Sequence, residues 1–223
     1  MRILIISDGH GNLEMLDKLD DEFKKADLVL FGGDFAKFGE VETGLPFFNK
    51  LREKHEKIFA VLGNCDEESF IDNLENADIS VVNSLVYSDG LVFIGSSGGS
   101  KFTGTTPFER DEEDLVFDLH LAQESQQHWE NLVAIMHNPP KDTECDKISN
   151  GVHVGSSLLR EWIEEVKPIL VVTGHIHESR GIDKIGESVV VNPGALCEGN
   201  YAVAQVSQKD GKFQVQAELL SLN

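Results

Sequence analysis

Short apolar segments alternate with amphipathic segments in the first half of the chain, and this order predicts a parallel sheet flanked by helices. The apolar segments are rich in β-branched and aliphatic residues, as buried strands usually are. The predicted strands of this half span 2–7, 27–31, 57–62, 79–87 and 91–95. The predicted helices span 13–25, part of 42–55 and 66–76.

The second half begins with a loop at 96–108 that is rich in Gly, Ser and Thr. Thr106 is expected to cap a long helix whose first turn holds the acidic run 109–114, because negative charge is favourable at a helix N-terminus. Further strands are predicted at 131–136, 169–173, 188–191, 201–207 and 212–219, with a helix at 156–166. Since no repeat or Pro-rich linker interrupts this order, we expect one domain over 1–223 with two sheets.

The composition of the chain disfavours some classes of function, above all the binding of nucleic acids and of membranes. The net charge is −20, so the chain should repel nucleic acid polymers and anionic membranes. No apolar run approaches the ~20 residues of a membrane helix, and the N-terminus is typical of a strand and not of a signal peptide. The three cysteines are unclustered, which favours a cytoplasmic location. A small phosphate ester remains a suitable ligand if a metal ion supplies local positive charge.

Polar side chains follow five of the predicted strands at the point where each strand ends. The carboxyl ends of neighbouring parallel strands lie side by side, and ligands bind there. A single Asp or His at a strand end is usually a turn former or a satisfied polar group, but five such blocks in one chain indicate a shared site. These side chains are Asp8, His10, Asp34, Asn64, His137, His175 and His177.

This set of donors is enough for two cations if one carboxylate bridges them. Imidazole, carboxylate and amide groups together suit Mn, Fe, Zn or Co better than Ca or a structural zinc. We expect two divalent ions, with Mn favoured and Fe, Zn, Ni or Co as alternatives. Paired ions at ~3.5–4 Å clamp and hydrolyse phosphate esters in known enzymes.

The five blocks, in order and at similar spacing, resemble those of the calcineurin-like metallophosphoesterases. The segment from His153 to Gly181 is further similar to the Icc-like phosphoesterase branch. The resemblance implies an α/β fold, a four-layer α/β/β/α sandwich with two central mixed sheets and a dinuclear site at the C-terminal strand ends. It also implies that one ion is held by Asp8, His10 and His177, the other by Asn64, His137 and His175, with Asp34 bridging.

The chain departs from the wider family pattern in two places. Many relatives have His after the Gly-Asn pair, where this chain has Cys65, and a thiol of ordinary pKa near ~8.5 is a poor acid for a leaving group at neutral pH. The segment after Asp34 also lacks the Asp-Arg-Gly of the Ser/Thr protein phosphatases. A protein phosphatase is therefore not expected.

The mechanism implied is attack on phosphorus by a metal-bridging water held by Asp34. The proton donor to the leaving group would be His153, Cys65 or a metal-bound water. Asn12 and Arg180 follow ligands closely in the sequence and are expected to contact substrate, and Arg110 is a further candidate.

The leading hypothesis is a phosphoesterase that acts on a small phosphorylated substrate, with phosphodiesters favoured. A phosphomonoesterase is the nearest alternative. A non-catalytic scaffold on the same fold is another, although such relatives usually have substituted ligands. A nuclease is disfavoured by the acidic charge and by Cys65. The sequence does not indicate the natural substrate or the oligomeric state.

Overall fold

Two β-sheets lie face to face at the centre of the computed structural model, which describes residues 1–125 and 128–222. The strands in chain order are β1 (Arg2–Ile6), β2 (Leu28–Phe31), β3 (Ile58–Ala60), β4 (Val86–Ser88), β5 (Leu91–Ser96), β6 (Gly99–Ser100), β7 (Glu109–Arg110), β8 (Leu132–Met136), β9 (Leu170–Val172), β10 (Gly181–Ile185), β11 (Ser188–Asn192), β12 (Asn200–Lys209) and β13 (Lys212–Ser221). The α-helices are α1 (Leu13–Lys18), α2 (Asp20–Lys25), α3 (Gly44–Lys54), α4 (Ile71–Asn76), α5 (Glu112–Phe117), α6 (His120–Glu124) and α7 (Ser157–Val166).

Both large sheets are mixed. The first has the order β13-β12-β1-β2-β3, in which β1, β2 and β3 run parallel and the β12–β13 hairpin pairs antiparallel. The second has the order β10-β11-β9-β8-β5-β4, with a parallel centre and an antiparallel strand at each edge. The strands β6 and β7 form a separate two-stranded ribbon. The parallel centres bring the carboxyl ends of their strands to one edge of each sheet.

The alternation of side chains along β1 shows why its residues are apolar throughout. Ile3 and Ile5 pack into the core between the two sheets, and Leu4 and Ile6 pack into a second core outside the first sheet. Successive side chains point to opposite faces of a strand, so a strand covered on both faces must be apolar at every position. All four side chains are fully buried.

Helices cover the outer face of each sheet. Leu16 of α1 and Phe47 of α3 pack on the first sheet, and Leu115 of α5 and Trp162 of α7 pack on the second. The order of layers is therefore helix, sheet, sheet, helix. The expectation of a four-layer α/β/β/α sandwich with two mixed sheets is confirmed.

The predicted helix at 13–25 is two short helices. The backbone of Leu19 leaves the helical region, with φ −89° and ψ 5°, and α2 starts at the next residue. Leu19 is fully buried, so the chain turns there while the apolar stripe stays on the sheet. Acidic residues occupy the first turn of α2, where the helix dipole favours negative charge.

Thr106 does not cap a helix, contrary to expectation. The helix α5 begins six residues later with Asp111 at its N-cap position, and it ends at Phe117 before α6 starts. The Glu109 carboxylate instead accepts hydrogen bonds from the backbone N–H groups of Phe102, Gly104 and Thr106. These bonds hold the pKa of Glu109 at about 2. Glu109 therefore stabilises the loop at 102–106 and is not part of the helix.

A helix that could cross a membrane would need to be long and apolar, and none of the helices among the described residues is.

We expect Phe31→Ala to lower the free energy of unfolding by about 3–5 kcal/mol, because a buried aromatic ring is lost and a cavity remains. Phe31 is fully buried, and its ring centroid lies 4.3 Å from that of Phe35. The matched control is Phe102→Ala, since Phe102 is 89% exposed. Urea denaturation of both variants measures the difference. Equal stabilities would contradict the packing described.

Candidate metal centre

The polar residues after β1 and β2 are held together by backbone hydrogen bonds. The N–H of Asp8 donates to the carbonyl of Gly33 at 2.9 Å, and the N–H of His10 donates to the carbonyl of Asp34 at 3.0 Å. These bonds continue the parallel pairing of the two strands past their ends. Asp8 and Asp34 therefore emerge side by side at the carboxyl edge of the first sheet.

The polar residues of the second sheet meet them across the gap between the sheets. His137 follows β8, and its Nδ1 lies 2.7 Å from the carbonyl oxygen of Gly32 at the end of β2. Gly174, just after β9, donates its N–H to the His137 carbonyl at 3.1 Å. The strand ends of both sheets thus converge on one place.

One group of donors consists of Asp8, His10 and His177. Their candidate ligand atoms all lie within 4.8 Å of one another. The Nε2 atoms of His10 and His177 are 3.1 Å apart, and His177 Nε2 is 3.4 Å from Asp8 Oδ1. Three donor atoms at these separations can share one cation.

A second group lies around His137. Its Nε2 is 2.9 Å from Asn64 Oδ1 and 3.6 Å from Asp34 Oδ2. The ring of His175 is beside it, with 5.1 Å between the centroids. The same Asp34 Oδ2 atom is also 3.7 Å from His10 Nε2, so this carboxylate lies between the two groups.

The imidazoles of His10 and His137 present their Nε2 atoms to the cluster. In each ring Nδ1 faces a backbone carbonyl, that of Ala36 for His10 at 3.0 Å and that of Gly32 for His137. A carbonyl oxygen only accepts, so Nδ1 carries a proton in each ring, and in a neutral ring Nε2 is then the nitrogen with the free lone pair. This is the arrangement in which metal-binding histidines are usually held.

Asp8 and His177 have opposite pKa shifts. Burial alone would raise the pKa of the Asp8 carboxyl, but the hydrogen bond from His177 and the nearby imidazoles hold it well below its usual range. Burial would lower the pKa of His177, but the hydrogen bond and charge of Asp8 raise it to about 9. Without a cation, a proton on His177 therefore supplies the positive charge that Asp8 needs.

The pKa values of three further ligand candidates are shifted towards their neutral forms. Burial lowers the pKa of His137, and burial together with the His137 ring lowers the pKa of His175 to about 4. Burial and the neighbouring Asp8 raise the pKa of Asp34. Both imidazoles are thus neutral near pH 7 and able to bind a cation. A cation would also favour the ionised form of Asp34.

These residues together fit a centre of two divalent ions. Buried Asp8 Oδ2 has no hydrogen-bond partner in the described part of the chain, and a buried carboxylate oxygen needs one. The donor set is imidazole, carboxylate and amide, which suits first-row transition ions. Two groups of donors with Asp34 between them match two cations better than one.

The backbone is strained where these residues lie. Asp8, His10, Asp34 and His175 all have positive φ values, between 44° and 67°. Residues other than glycine seldom adopt this region, and such strain concentrates at functional sites. The left-handed conformation turns each side chain off its strand direction and towards the common centre.

Glycine is required at position 63 for a different reason. A Cβ atom there would overlap the carboxylate of Asp34. The third residue after β3 must therefore be glycine if Asp34 is to pack against this loop. The Gly-Asn pair brings the Asn64 amide to the centre at the same point.

Asp66 is a buried carboxylate that the sequence analysis missed. Its oxygens accept hydrogen bonds from the N–H groups of Asp34, Phe35 and Ala36, and from that of Gly63. Burial and the negative charge of Asp34 raise the pKa of Asp66 to about 7. Asp66 ties the loops after β2 and β3 together and so fixes the position of Asp34. The signal in the sequence was an acidic residue two positions after Asn64.

Cys65 is turned towards the cluster. Its sulfur lies within 4.8 Å of ligand atoms of His10 and Asp34, and its N–H donates to Asp34 Oδ1 at 2.8 Å. Burial, followed by the negative charge of Asp34, raises the pKa of this thiol. A thiol that keeps its proton so firmly is a poor proton donor.

The remaining predicted site residues lie outside these donor groups. Asn12 donates its side-chain amide to the Cys197 carbonyl at 3.3 Å. The guanidinium of Arg180 donates to the carbonyls of Pro193 and Leu220, and that of Arg110 pairs with buried Asp118. His153 Nδ1 lies 2.7 Å from Asp146 Oδ1. The first three residues stay predictions as substrate contacts, and His153 stays a prediction as proton donor.

Comparisons with known proteins agree with this picture. A family model for calcineurin-like phosphoesterases matches residues 1–179. An uncharacterised protein of Methanocaldococcus jannaschii is 34% identical over 200 residues, covering 86% of this chain and 88% of its own.

Two solved structures share the fold. The structure of TT1561 from Thermus thermophilus aligns with a TM-score of 0.73 at 20% identity, over 100% of this chain and 99% of its own. A novel archaeal phosphodiesterase aligns with a TM-score of 0.55 at 19% identity, over 99% of this chain and 100% of its own. At these identities the likeness shows the fold alone.

We expect Asp66→Ala to weaken Mn²⁺ binding by about 10–100-fold, because the loop that carries Asp34 loses the carboxylate that holds it in position. The matched control is Asp72→Ala, since Asp72 is exposed on α4. Isothermal titration calorimetry on both folded variants gives the affinities. An unchanged affinity in folded Asp66→Ala would contradict the positioning role.

Proposed function

The chain belongs to the calcineurin-like phosphoesterase family, and we propose that it hydrolyses a small phosphate ester, with phosphodiesters preferred, by means of two divalent cations. The observation that carries the proposal is the position of Asp34. Its Oδ2 lies 3.7 Å from His10 Nε2 and 3.6 Å from His137 Nε2, between the two groups of donors. A carboxylate in this position is suited to bridge two ions.

The proposed ligands follow from these groups. One ion would be held by Asp8, His10 and His177, whose donor atoms cluster within 4.8 Å. The other would be held by Asn64, His137 and His175, with Asp34 as the bridge. The close approach of Asn64 Oδ1 to His137 Nε2 supports the second set.

Two cations held here would act as Lewis acids towards a phosphoryl group and would make water a stronger nucleophile at neutral pH. The chain's own contribution is to hold the ligands rigidly. Asp34 is fixed at two places: its Oδ1 accepts a hydrogen bond from the N–H of Cys65, and its own N–H donates to the Asp66 carboxylate. His137 and His10 are fixed by the carbonyls that accept from Nδ1.

A small substrate suits the charge of the protein. The net charge is −20, so a long polyanion would be repelled, whereas a single phosphate group would be attracted by the cations. Among the predicted contacts Asn12 is favoured because it lies close to the ligands. It is two residues after His10, and its side-chain amide donates to the carbonyl of Cys197, whose N–H donates to the carbonyl of Asp8. The guanidinium groups of Arg110 and Arg180 already bind protein acceptors.

Manganese is the favoured ion, with Fe, Zn, Ni or Co as alternatives, because the set combines imidazoles with carboxylates and one amide and contains no thiolate. The three cysteines are unpaired, which supports a reducing, cytoplasmic location.

A phosphomonoesterase is the nearest alternative, since the same centre would act on both ester classes. A non-catalytic scaffold is less well supported, because every predicted ligand has kept a metal-binding side chain. The description of one structural relative as a phosphodiesterase favours the diester reading.

We expect protein loaded with Mn²⁺ to hydrolyse bis-p-nitrophenyl phosphate and Asp34→Asn to lose about 100-fold or more of this activity, because the bridge between the ions is weakened. Asp72→Asn, an exposed substitution of the same kind, should keep the activity. Release of p-nitrophenolate measures the rate.

Hydrolysis of p-nitrophenyl phosphate but not of the diester would identify a monoesterase. No hydrolysis of either ester with Mn²⁺, Zn²⁺, Fe²⁺ or Ni²⁺, in a folded protein, would contradict the proposed function.

A further inference from the structure

The loop between β8 and α7, residues 137–156, is organised around one buried carboxylate. Asp146 has no exposed surface. Its oxygens accept hydrogen bonds from the N–H groups of Asp142, Thr143 and Gly155, and from the hydroxyl of Thr143. The carboxylate is therefore fixed in position and direction.

His153 is held by this carboxylate. Its Nδ1 lies 2.7 Å from Asp146 Oδ1, and its side chain is 29% exposed. Its Nε2 has no hydrogen bond to any residue in the described ranges 1–125 and 128–222. A carboxylate on Nδ1 fixes the orientation of an imidazole, and when both ring nitrogens carry protons the Nε2–H points away from the carboxylate.

The loop that carries His153 is tied to segments of the metal centre at two places. His153 pairs antiparallel with Lys147, whose carbonyl accepts a hydrogen bond from Ser179 Oγ at 2.9 Å. Ser179 ends the short turn that begins with His177. Paired segments lie ~4.8 Å apart, so the backbone of His153 is one strand spacing from Lys147, the residue that this turn contacts.

The other side of the loop is fastened to the segment after His137. The N–H of Ser156 donates to the Pro139 carbonyl at 2.9 Å, and Pro140 pairs with Ser156. The loop is thus tied to the two segments that carry His137 and His177.

We propose that His153, positioned by Asp146, donates a proton to the leaving-group oxygen of the substrate. This inference rests on the proposed function and assigns the acid that the sequence left open among His153, Cys65 and a metal-bound water. The donor is an imidazole whose Nδ1 is held by a buried carboxylate, on a loop tied to the segments that follow His137 and His177. Asp146 is a positioning residue and does not itself touch the substrate.

In the hydrolysis of a diester, the oxygen of water forms a new bond to phosphorus, and the bond from phosphorus to the leaving oxygen breaks. Nε2 of the doubly protonated His153 ring gives its proton to that oxygen, so that an alcohol or phenol departs. The proton released from water returns to the solvent, from which the ring is protonated again.

The test is a series of methyl aryl phosphodiesters, with p-nitrophenol, phenol and an alkyl alcohol as leaving groups. Protonation matters most for a poor leaving group, so His153→Gln should lose about 10-fold on the nitrophenyl ester and about 100–1,000-fold on the phenyl and alkyl esters. His128→Gln, at an exposed histidine, is the matched control and should keep the wild-type rates across the series.

Two further measurements separate a proton donor from a structural residue. Added imidazole should restore phenyl ester hydrolysis to His153→Ala. The Mn²⁺ affinity of this variant should equal that of the wild-type protein. Asp146→Asn should show the same dependence on leaving group as His153→Gln. If Asp146→Asn fails to fold, the His153 variants decide the question alone.

A loss that is equal for all leaving groups, or no loss at all, would overturn the role of His153 while leaving the phosphoesterase intact. A wild-type protein that hydrolyses neither this series nor p-nitrophenyl phosphate would overturn both this inference and the proposed function.

Discussion

Two buried carboxylates, on Asp8 and Asp34, have oxygens within 4.8 Å of each other at the meeting point of the two sheets. Like charges this close in a buried place are unfavourable unless positive charge compensates them. The protein alone meets this need by a proton on His177 and by a raised pKa at Asp34. Two divalent cations would compensate the charges more fully, and the surrounding imidazoles, neutral at His137 and His175, are ready to hold them. This electrostatic requirement accounts for the arrangement of the site.

The fold supplies the rigidity that this arrangement needs. Strands β1 and β2 are apolar on both faces, so they are fixed from both sides by the two cores described above. Their polar ends continue the pairing for two or three residues, through the bonds of Asp8 to Gly33 and of His10 to Asp34. Left-handed backbone conformations then turn the side chains inward. Packing energy in the sheets thereby stabilises a strained, charged centre that would not form alone.

The sequence was sufficient for most strands of the two sheets and for the convergence of polar strand ends, because both follow from local apolar patterns and from the geometry of parallel strands. The strand predicted at 79–87 is wrong in extent, since only β4, Val86–Ser88, forms there. It was not sufficient for features that depend on distant partners. Asp66 looked like an ordinary acidic residue, since its role arises from four backbone N–H groups on two loops. The break at Leu19 and the use of Glu109 in a loop likewise depend on tertiary contacts. The role of Asp146 could not be predicted either, because it depends on how the loop around this residue folds.

The most direct test of the account is electron paramagnetic resonance of the protein with two equivalents of Mn²⁺. Two ions bridged by Asp34 at ~3.5–4 Å should give a broad, exchange-coupled spectrum in place of the six lines of an isolated ion. Titration from one to two equivalents should show the coupled signal growing. A six-line spectrum at two equivalents, or binding of only one ion, would contradict the dinuclear centre.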